Sequence, residues 1–490
     1  MFYKKYLNTI VEYGALLFVF LVPWQARLIL SEGEINGGYW EYGTKSLYAT
    51  EIILFVVLVA FVIPGAIYIH KTKPVFKKRR VFGHIGALIA LIIWAFLSIF
   101  WSIDSSIAFE RLIVLVEAIV VFLIISSGII SFKKLFWAII LSGLIQALFA
   151  ITQFFLQWIP ESSLIGMSSQ YAQDLGVSVV ETELRRWLRA YGSFPHPNIL
   201  GSWLVLSLIL LVDRFCRHSE LHAMSHDCRI SESVPLSSRH SELVSESLHS
   251  KNKILKQVQD DAIFLPVAYI ILLFGLLATF SRSAWIGFGI FLIIFVMRLF
   301  IYKAWAQAIK IVLITCLTVL CFYRIFPEPI NTRLGFSVKE NLPLTVSGFE
   351  GRLETKSNTE HISSISQGLE IIKQNPLKGV GIGNYGLAVY DQIDNSQEAW
   401  FYQPAHNVIL LIFAELGIVG ILIMAYGLWL MAFRGIFRKI LLNAGVFFIP
   451  IIIIISFDHY LWSLYPGIMI SAVYVGVLML LIQKDKNFNG

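Results

Sequence analysis

The segment QPAHN, residues 403–407, ends a long polar stretch and opens the apolar run NVILLIFAELGIVGILIMAYGLWL. Its histidine, His406, falls where an apolar helix would meet water. Imidazole is the side chain best suited to exchange protons near neutral pH, which makes His406 a candidate general base. The competing role is a helix N-cap, for which Asn407 is an equally good residue. Arg282, in TFSRSAWIGFG at 279–289, lies between two apolar runs with almost no loop. A charge at mid-bilayer costs roughly 2.5–3.5 kcal/mol on insertion scales, and less near the edge, so such a residue marks a polar cavity or a partner. A third signal is ETELRRWLRAYG at 181–192. Read as a helix, it puts Arg185 and Arg189 on one face at i, i+4 and Arg186 beside Arg189 at i, i+3. Guanidinium forks match phosphate oxygens in pairs and stay charged at any working pH, so the cluster reads as an anion site. Otherwise it is an interfacial cluster of snorkelling side chains.

The remaining ionisable residues have plainer accounts. His196, in SFPHPNILG, stands between two prolines as a turn former or a substrate contact, with Asn198 placed to cap the helix that follows. Asp458-His459, beside Tyr460 and Trp462, fits an aromatic interface belt. Arg111, in AFERLIVLVEA, has Glu110 and Glu117 as ready partners. Cys216, His218, His222, His226 and Cys228 have spacing that a metal ion could use, but they lie in a polar segment of low complexity that reads as a disordered insertion. KGVGIGNYG at 378–386 has the glycines of a nucleotide loop without a preceding strand; it reads as a tight backbone turn.

These residues need a membrane to position them. Hydrophobic residues make up 57% of the 490 and charged residues only 14%, against roughly 25% charged in soluble domains. Mean hydropathy is +0.71. The expected fold is all-α and polytopic, with about 12 transmembrane helices near 9–30, 48–70, 83–102, 108–130, 135–158, 197–213, 262–281, 284–302, 309–326, 405–430, 442–458 and 464–482. Lys and Arg concentrate at 71–80, at Lys133 and Lys134, and at Arg434, Arg438 and Lys439. With an even number of spans, that bias puts both termini in the cytoplasm and His406 outside. The net charge of +7 then reflects topology and gives no hint of nucleic acid. No cleavable leader is read at the N-terminus, because the first apolar run lacks a small-residue cleavage site.

The chain accordingly divides into spans one to five (1–158), an external loop with the arginine cluster (159–196), span six (197–213) and a cytoplasmic insertion (214–261). Spans seven to nine (262–326), a large external loop (327–404) and spans ten to twelve (405–490) follow. In the large loop, Ile362, Ile365, Leu369 and Ile372 recur at helical spacing up to Asn375-Pro376, which predicts an amphipathic helix over the membrane domain or on the outer leaflet.

RAYGSFPHPNILG, FSRSAWIGF, NPLKGVGIGNYG and PAHNVILLIFAELGIVGIL, in this order, resemble the bacterial O-antigen ligase and polymerase superfamily over about 140–480. The resemblance implies a glycosyltransferase of the inner membrane that acts on glycans carried by undecaprenyl pyrophosphate. It also implies transfer with inversion to an acceptor hydroxyl, without metal, nucleotide or other cofactor. By the same resemblance His406 activates the acceptor, and Arg189 and Arg282 bind the pyrophosphate, with Arg186 beside them. Where the family carries an Arg and a Trp in the amphipathic helix, this chain has His361 and Ile365, so Arg352 is the expected substitute. His196, Asn198, His361, Asn407 and His459 are the further expected substrate contacts. Ligase and polymerase stay open, as does the acceptor, which is a glycan, lipid or protein. A carrier for an anionic solute or lipid is the competing class, disfavoured by the absence of an obvious internal repeat.

Overall fold

The computed structural model describes residues 2–69, 82–227, 263–335, 352–433 and 445–487. The basic stretch at 71–80, Arg434, Arg438, Lys439, Cys228 and most of the insertion lie outside the described residues. Twelve long helices dominate. They are α1 (Phe2–Leu21), α2 (Ala49–Ile69), α3 (Phe82–Ser98), α4 (Ser105–Ser126), α5 (Phe132–Leu156) and α6 (Pro197–Asp227), then α7 (Ile263–Ala278), α8 (Arg282–Ile301) and α9 (Trp305–Ile325). The short α10 (Pro327–Leu334) precedes α11 (Arg352–Gln374), α12 (Tyr385–Gln392) and α13 (Val408–Phe433). The chain closes with α14 (Ile449–Phe457), a single turn α15 (Tyr460–Ser463) and α16 (Tyr465–Asn487).

A helix stands at each of the twelve expected span positions, but among the described residues only five are long and apolar enough to cross a membrane: Phe132–Leu156, Pro197–Phe215, Arg282–Ile301, Trp305–Ile325 and Val408–Leu430. Six others are apolar and shorter. Helix α4 has 22 residues yet carries Glu110, Arg111 and Glu117. The packing centre is α6, in which every residue from Ile199 to Asp213 is buried. It touches α5 and α8; α4 lies along α16, α3 along α13, and α8 along α14. Helix α6 also runs to Asp227, beyond its expected end at 213, since DRFCRHSELHAMSHD contains no glycine or proline to stop it.

The loops are not all irregular. Between α1 and α2, strands β1 (Arg27–Ser31) and β4 (Lys45–Tyr48) pair around a small β2–β3 hairpin (Glu34–Ile35 and Gly38–Tyr39). Between α5 and α6, β5 (Trp158–Ile159) pairs with β6 (Gln170–Tyr171), and β7 (Val179–Glu181) with β8 (Arg186–Leu188). The last hairpin replaces the helix expected at 181–192. Thr182 closes its turn, its backbone N–H and hydroxyl both donating to the Arg185 carbonyl. Val179 and Val180 supply β-branched side chains that fit a strand.

Helix α11 ends before Asn375-Pro376 as the sequence predicts, but its apolar stripe is split. Ile372 is buried, whereas Ile365 and Leu369 are 46% and 49% exposed. The face against α13 is Ser364, Gly368 and Ile371, because a side chain at Gly368 would collide with Leu410.

Candidate active site

Three arginines from three separate segments converge on one turn. TFSRS links α7 to α8, and Phe280 in it adopts a left-handed backbone, φ 48°, while being fully buried. The Thr279 hydroxyl donates to the Leu276 carbonyl and accepts the Ser281 N–H, which fixes the turn. Two successive carbonyls then each accept a guanidinium N–H. The Arg189 Nε donates to Thr279 O at 2.8 Å, and the Arg333 Nε donates to Phe280 O at 3.1 Å. Arg282 follows as the first residue of α8. First-turn N–H groups of a helix lack intrahelical acceptors and create a positive field there. A cation at that position adds to the field instead of neutralising it.

Arg189 is buried, and its Nη2 donates to Asn198 Oδ1 at 2.6 Å. Asn198 passes the contact on, donating from Nδ2 to Asp458 Oδ1 at 2.7 Å. The other Asp458 oxygen accepts the Ser283 hydroxyl at 2.6 Å. Burial raises the Asp458 pKa to about 6 in spite of these two bonds and of the arginines nearby. So Asn198 does not cap α6, as the sequence suggested. The cap is the His196 ring, whose Nδ1 accepts the Asn198 N–H at 3.2 Å. Its Nε2 shares a 3.0 Å hydrogen bond with Ser178. Burial, then the charge of Arg189, lowers the His196 pKa to about 3, so the ring is neutral at physiological pH and donates from Nε2.

His406 is half-buried and stands among the other two site histidines. Its ring lies 5.1 Å from that of His459, and it is near enough to His196 for charge on one to be felt at the other. Asn407 is the cap of α13: its Oδ1 accepts the Leu410 N–H at 2.9 Å, and its Nδ2 donates to Ser456 O. Asp458 and His459 do not belong to an interface belt. Both are buried, because α14 stops at Phe457 and the chain turns inward before α15. His459 Nδ1 shares a 2.6 Å bond with Ser463 Oγ, and its ring meets Tyr42 edge-on at 5.7 Å.

Next to this group lies a cleft enclosing ≈ 460 Å³ of empty space, its open mouth included. Tyr42, Arg111, Tyr385, Glu415, Trp462 and Ser463 are among its walls. Arg111 makes no ion pair within 4 Å with Glu110 or Glu117, the partners read from the sequence, although its charge acts on Glu110. It turns toward the Tyr42 carbonyl, 3.5 Å away, and into the cleft. The glycine turn at 378–386 makes room for it. Gly379, Gly381 and Gly383 all have positive φ, and a Cβ on Gly383 would sit 2.3 Å from Arg111 Cγ.

The other expected residues sit elsewhere or are only partly described. Arg186 is held in the β7–β8 hairpin, 3.9 Å from Glu181 and donating to Gln173 O. Arg185 stacks 3.4 Å over the Trp187 ring. Arg352 and His361 belong to α11, and their side chains lie outside the described residues, as do those of Cys216, His218, His222 and His226.

The comparison with known proteins bears on this arrangement. Residues 267–425 match the O-antigen ligase family model, Wzy_C. Over that stretch, about a third of its length, the chain is similar to the O-antigen ligase family. A search of curated proteins found no match. The O-antigen ligase match takes in the TFSRS turn, Arg333, the glycine turn, His406 and Glu415, while Arg111, Arg189, His196, Asp458 and His459 fall outside it. Arg333, Tyr42 and Glu415 are among the site residues that escaped sequence reasoning. Arg333 had a signal, since PEPINTRLG carries Pro327 in the first helical turn and Gly335 at the end. Tyr42 had none, as its place depends on a hairpin packing against a helix far along the chain.

Proposed function

We propose that this protein is a glycosyltransferase that moves a glycan from undecaprenyl pyrophosphate to an acceptor hydroxyl at the outer face of the bacterial inner membrane. The observation that carries this reading is the convergence of Arg189, Arg282 and Arg333 on one turn beside His406. In the proposed reaction the pyrophosphate lies against the three guanidinium groups, which stabilise the charge that grows on it as the glycosidic bond breaks. Arg189 and Arg333 are already tied to the Thr279 and Phe280 carbonyls, so little reorganisation is needed at the moment of reaction. His406 takes the proton of the acceptor hydroxyl as its oxygen attacks the anomeric carbon from the opposite face, inverting it. Asn407 holds the entry to α13, and His459 packs against the His406 ring.

The donor brings its own activated leaving group, so the proposed step uses no nucleotide. In this proposal Arg189, Arg282 and His406 have the roles the sequence suggests, and Arg333 joins them. Replacing His406 by Ala removes a positioned base, which typically contributes about 10²–10⁴-fold in rate. Purified His406→Ala protein, given lipid-linked donor and acceptor, is expected to lose transfer on that scale. Transfer at the wild-type rate would reject the assignment. In cells the same variant separates two products: full-length glycan stranded on the polyprenyl carrier identifies a ligase, and loss of chain length identifies a polymerase.

A further inference from the structure

The site has two sides of opposite character. Toward the TFSRS turn, His406 shares the neighbourhood of His196 with Arg189 and Arg333. Toward the loop between α1 and α2, His459 connects it to the cleft, through the Tyr42 ring and through the Ser463 hydroxyl that the cleft and His459 share. The two charged residues among the cleft walls are Arg111 and Glu415. Glu415 is 3% exposed, and its Oε2 accepts the Trp462 Nε1–H at 2.8 Å. The backbone amides of Gly383 and Tyr385 approach the same carboxylate.

A carboxylate among the cleft walls disfavours a phosphate. It suits hydroxyl groups, which donate to it, while the Arg111 guanidinium donates to other hydroxyl oxygens. Tyr42 and Trp462 offer rings of the kind that pack on the apolar faces of sugars, each with a polar tip. We infer that this cleft binds the acceptor as an uncharged saccharide, holding the sugar that carries the attacking hydroxyl or its neighbour, with Glu415 and Arg111 reading its hydroxyls. The inference rests on the transferase reading above and assigns the two substrates to opposite sides of His406.

The test uses full-length protein in nanodiscs, with donor and acceptor glycolipids extracted from a strain lacking this gene. Acceptor binding is measured directly by thermophoresis, and the KM of each substrate from transfer. Glu415→Gln and, as a variant in a loop outside the helices, Tyr42→Leu are expected to weaken acceptor binding and raise acceptor KM about tenfold or more, the effect of losing a hydrogen bond to a charged group. Donor KM should stay within about twofold, since the arginine side is untouched. Unchanged acceptor binding in both variants, alongside active wild-type transfer, overturns the cleft and leaves the transferase reading standing. Equal rises in both KM values overturn it too, as a structural effect. Acceptor binding that is lost in the variants of a protein that transfers nothing sustains the cleft and rejects the transferase reading.

Discussion

Arg282 occupies the first turn of α8, where the N–H groups already make the field positive, and Arg189 and Arg333 reach the turn just before it. Asp458 lies two hydrogen bonds away from Arg189. Its raised pKa and the lowered pKa of His196 have opposite consequences for stability. The His196 ring takes up a proton near 6.5 when unfolded but only near 3 in the fold, so its contribution is present above 6.5 and is lost as pH falls. The Asp458 carboxyl keeps its proton up to about 6 in the fold against 3.8 unfolded, so its contribution is present below 3.8 and is lost as pH rises. Between about 4 and 6 the two slopes cancel. Thermal melts of Asp458→Asn are therefore expected to show the melting temperature falling as pH drops from 6 to 4, and those of His196→Asn to show it rising. Parallel pH profiles in the two variants would contradict this account.

At the scale of elements, the break in α13 does most of the positioning. Gly417 has φ 66° and ψ −171°, a region open essentially to glycine alone. The Ile418 N–H leaves the helix and donates to Pro376 O. Ala414 O and Glu415 O then accept the Val380 and Gly381 N–H groups, and Leu416 O accepts the Trp94 indole. The glycine turn hangs from this break, and through Gly383 it sets the place of Arg111. A Cβ at Gly417 would lie 2.2 Å from Leu377 O. Gly417→Ala is expected to cost about 1–3 kcal/mol, read as a lower melting temperature, and to lower transfer as well because the cleft deforms. A variant with wild-type stability would show that the strained conformation is unnecessary. Much of this level was legible in advance. Apolar runs locate the helices, since their length and composition answer to lipid. The turn at 378–386 follows from glycine spacing. The hairpin at 179–188 was missed because RRWLR has helical spacing as well, and Thr182 with its long-range neighbours decides against it. His196 as cap and Asn198 as bridge exchanged roles for a similar reason: both residue types can cap, and only the nearby Arg189 and Asp458 distinguish them.

Across the whole molecule, the site is assembled from segments that the sequence keeps far apart. Arg189 and His196 come from the loop before α6, Arg282 and Arg333 from either end of the α8–α9 pair, and His406 and Asp458 from the last third. None of the residues that build it belongs to 228–261. Replacing that stretch by a short Gly/Ser linker is expected to leave transfer within about twofold of wild type, as for a surface insertion, when assayed in membranes normalised for protein content. A large loss at unchanged protein level would give the insertion a role in the reaction. The way the hairpin between α1 and α2 is held also sets an order of events. The hairpin between α1 and α2 is fastened by Trp40 donating to Tyr402 O and by Asn36 donating to Asn395 O and Gln397 O, across as many as 362 residues of chain. The ribosome releases Tyr42 and Arg111 long before Glu415, so during synthesis that arginine waits without the wall that completes its cleft. A nascent chain arrested before α13 therefore holds Arg111 without Glu415, the acid that lines its cleft.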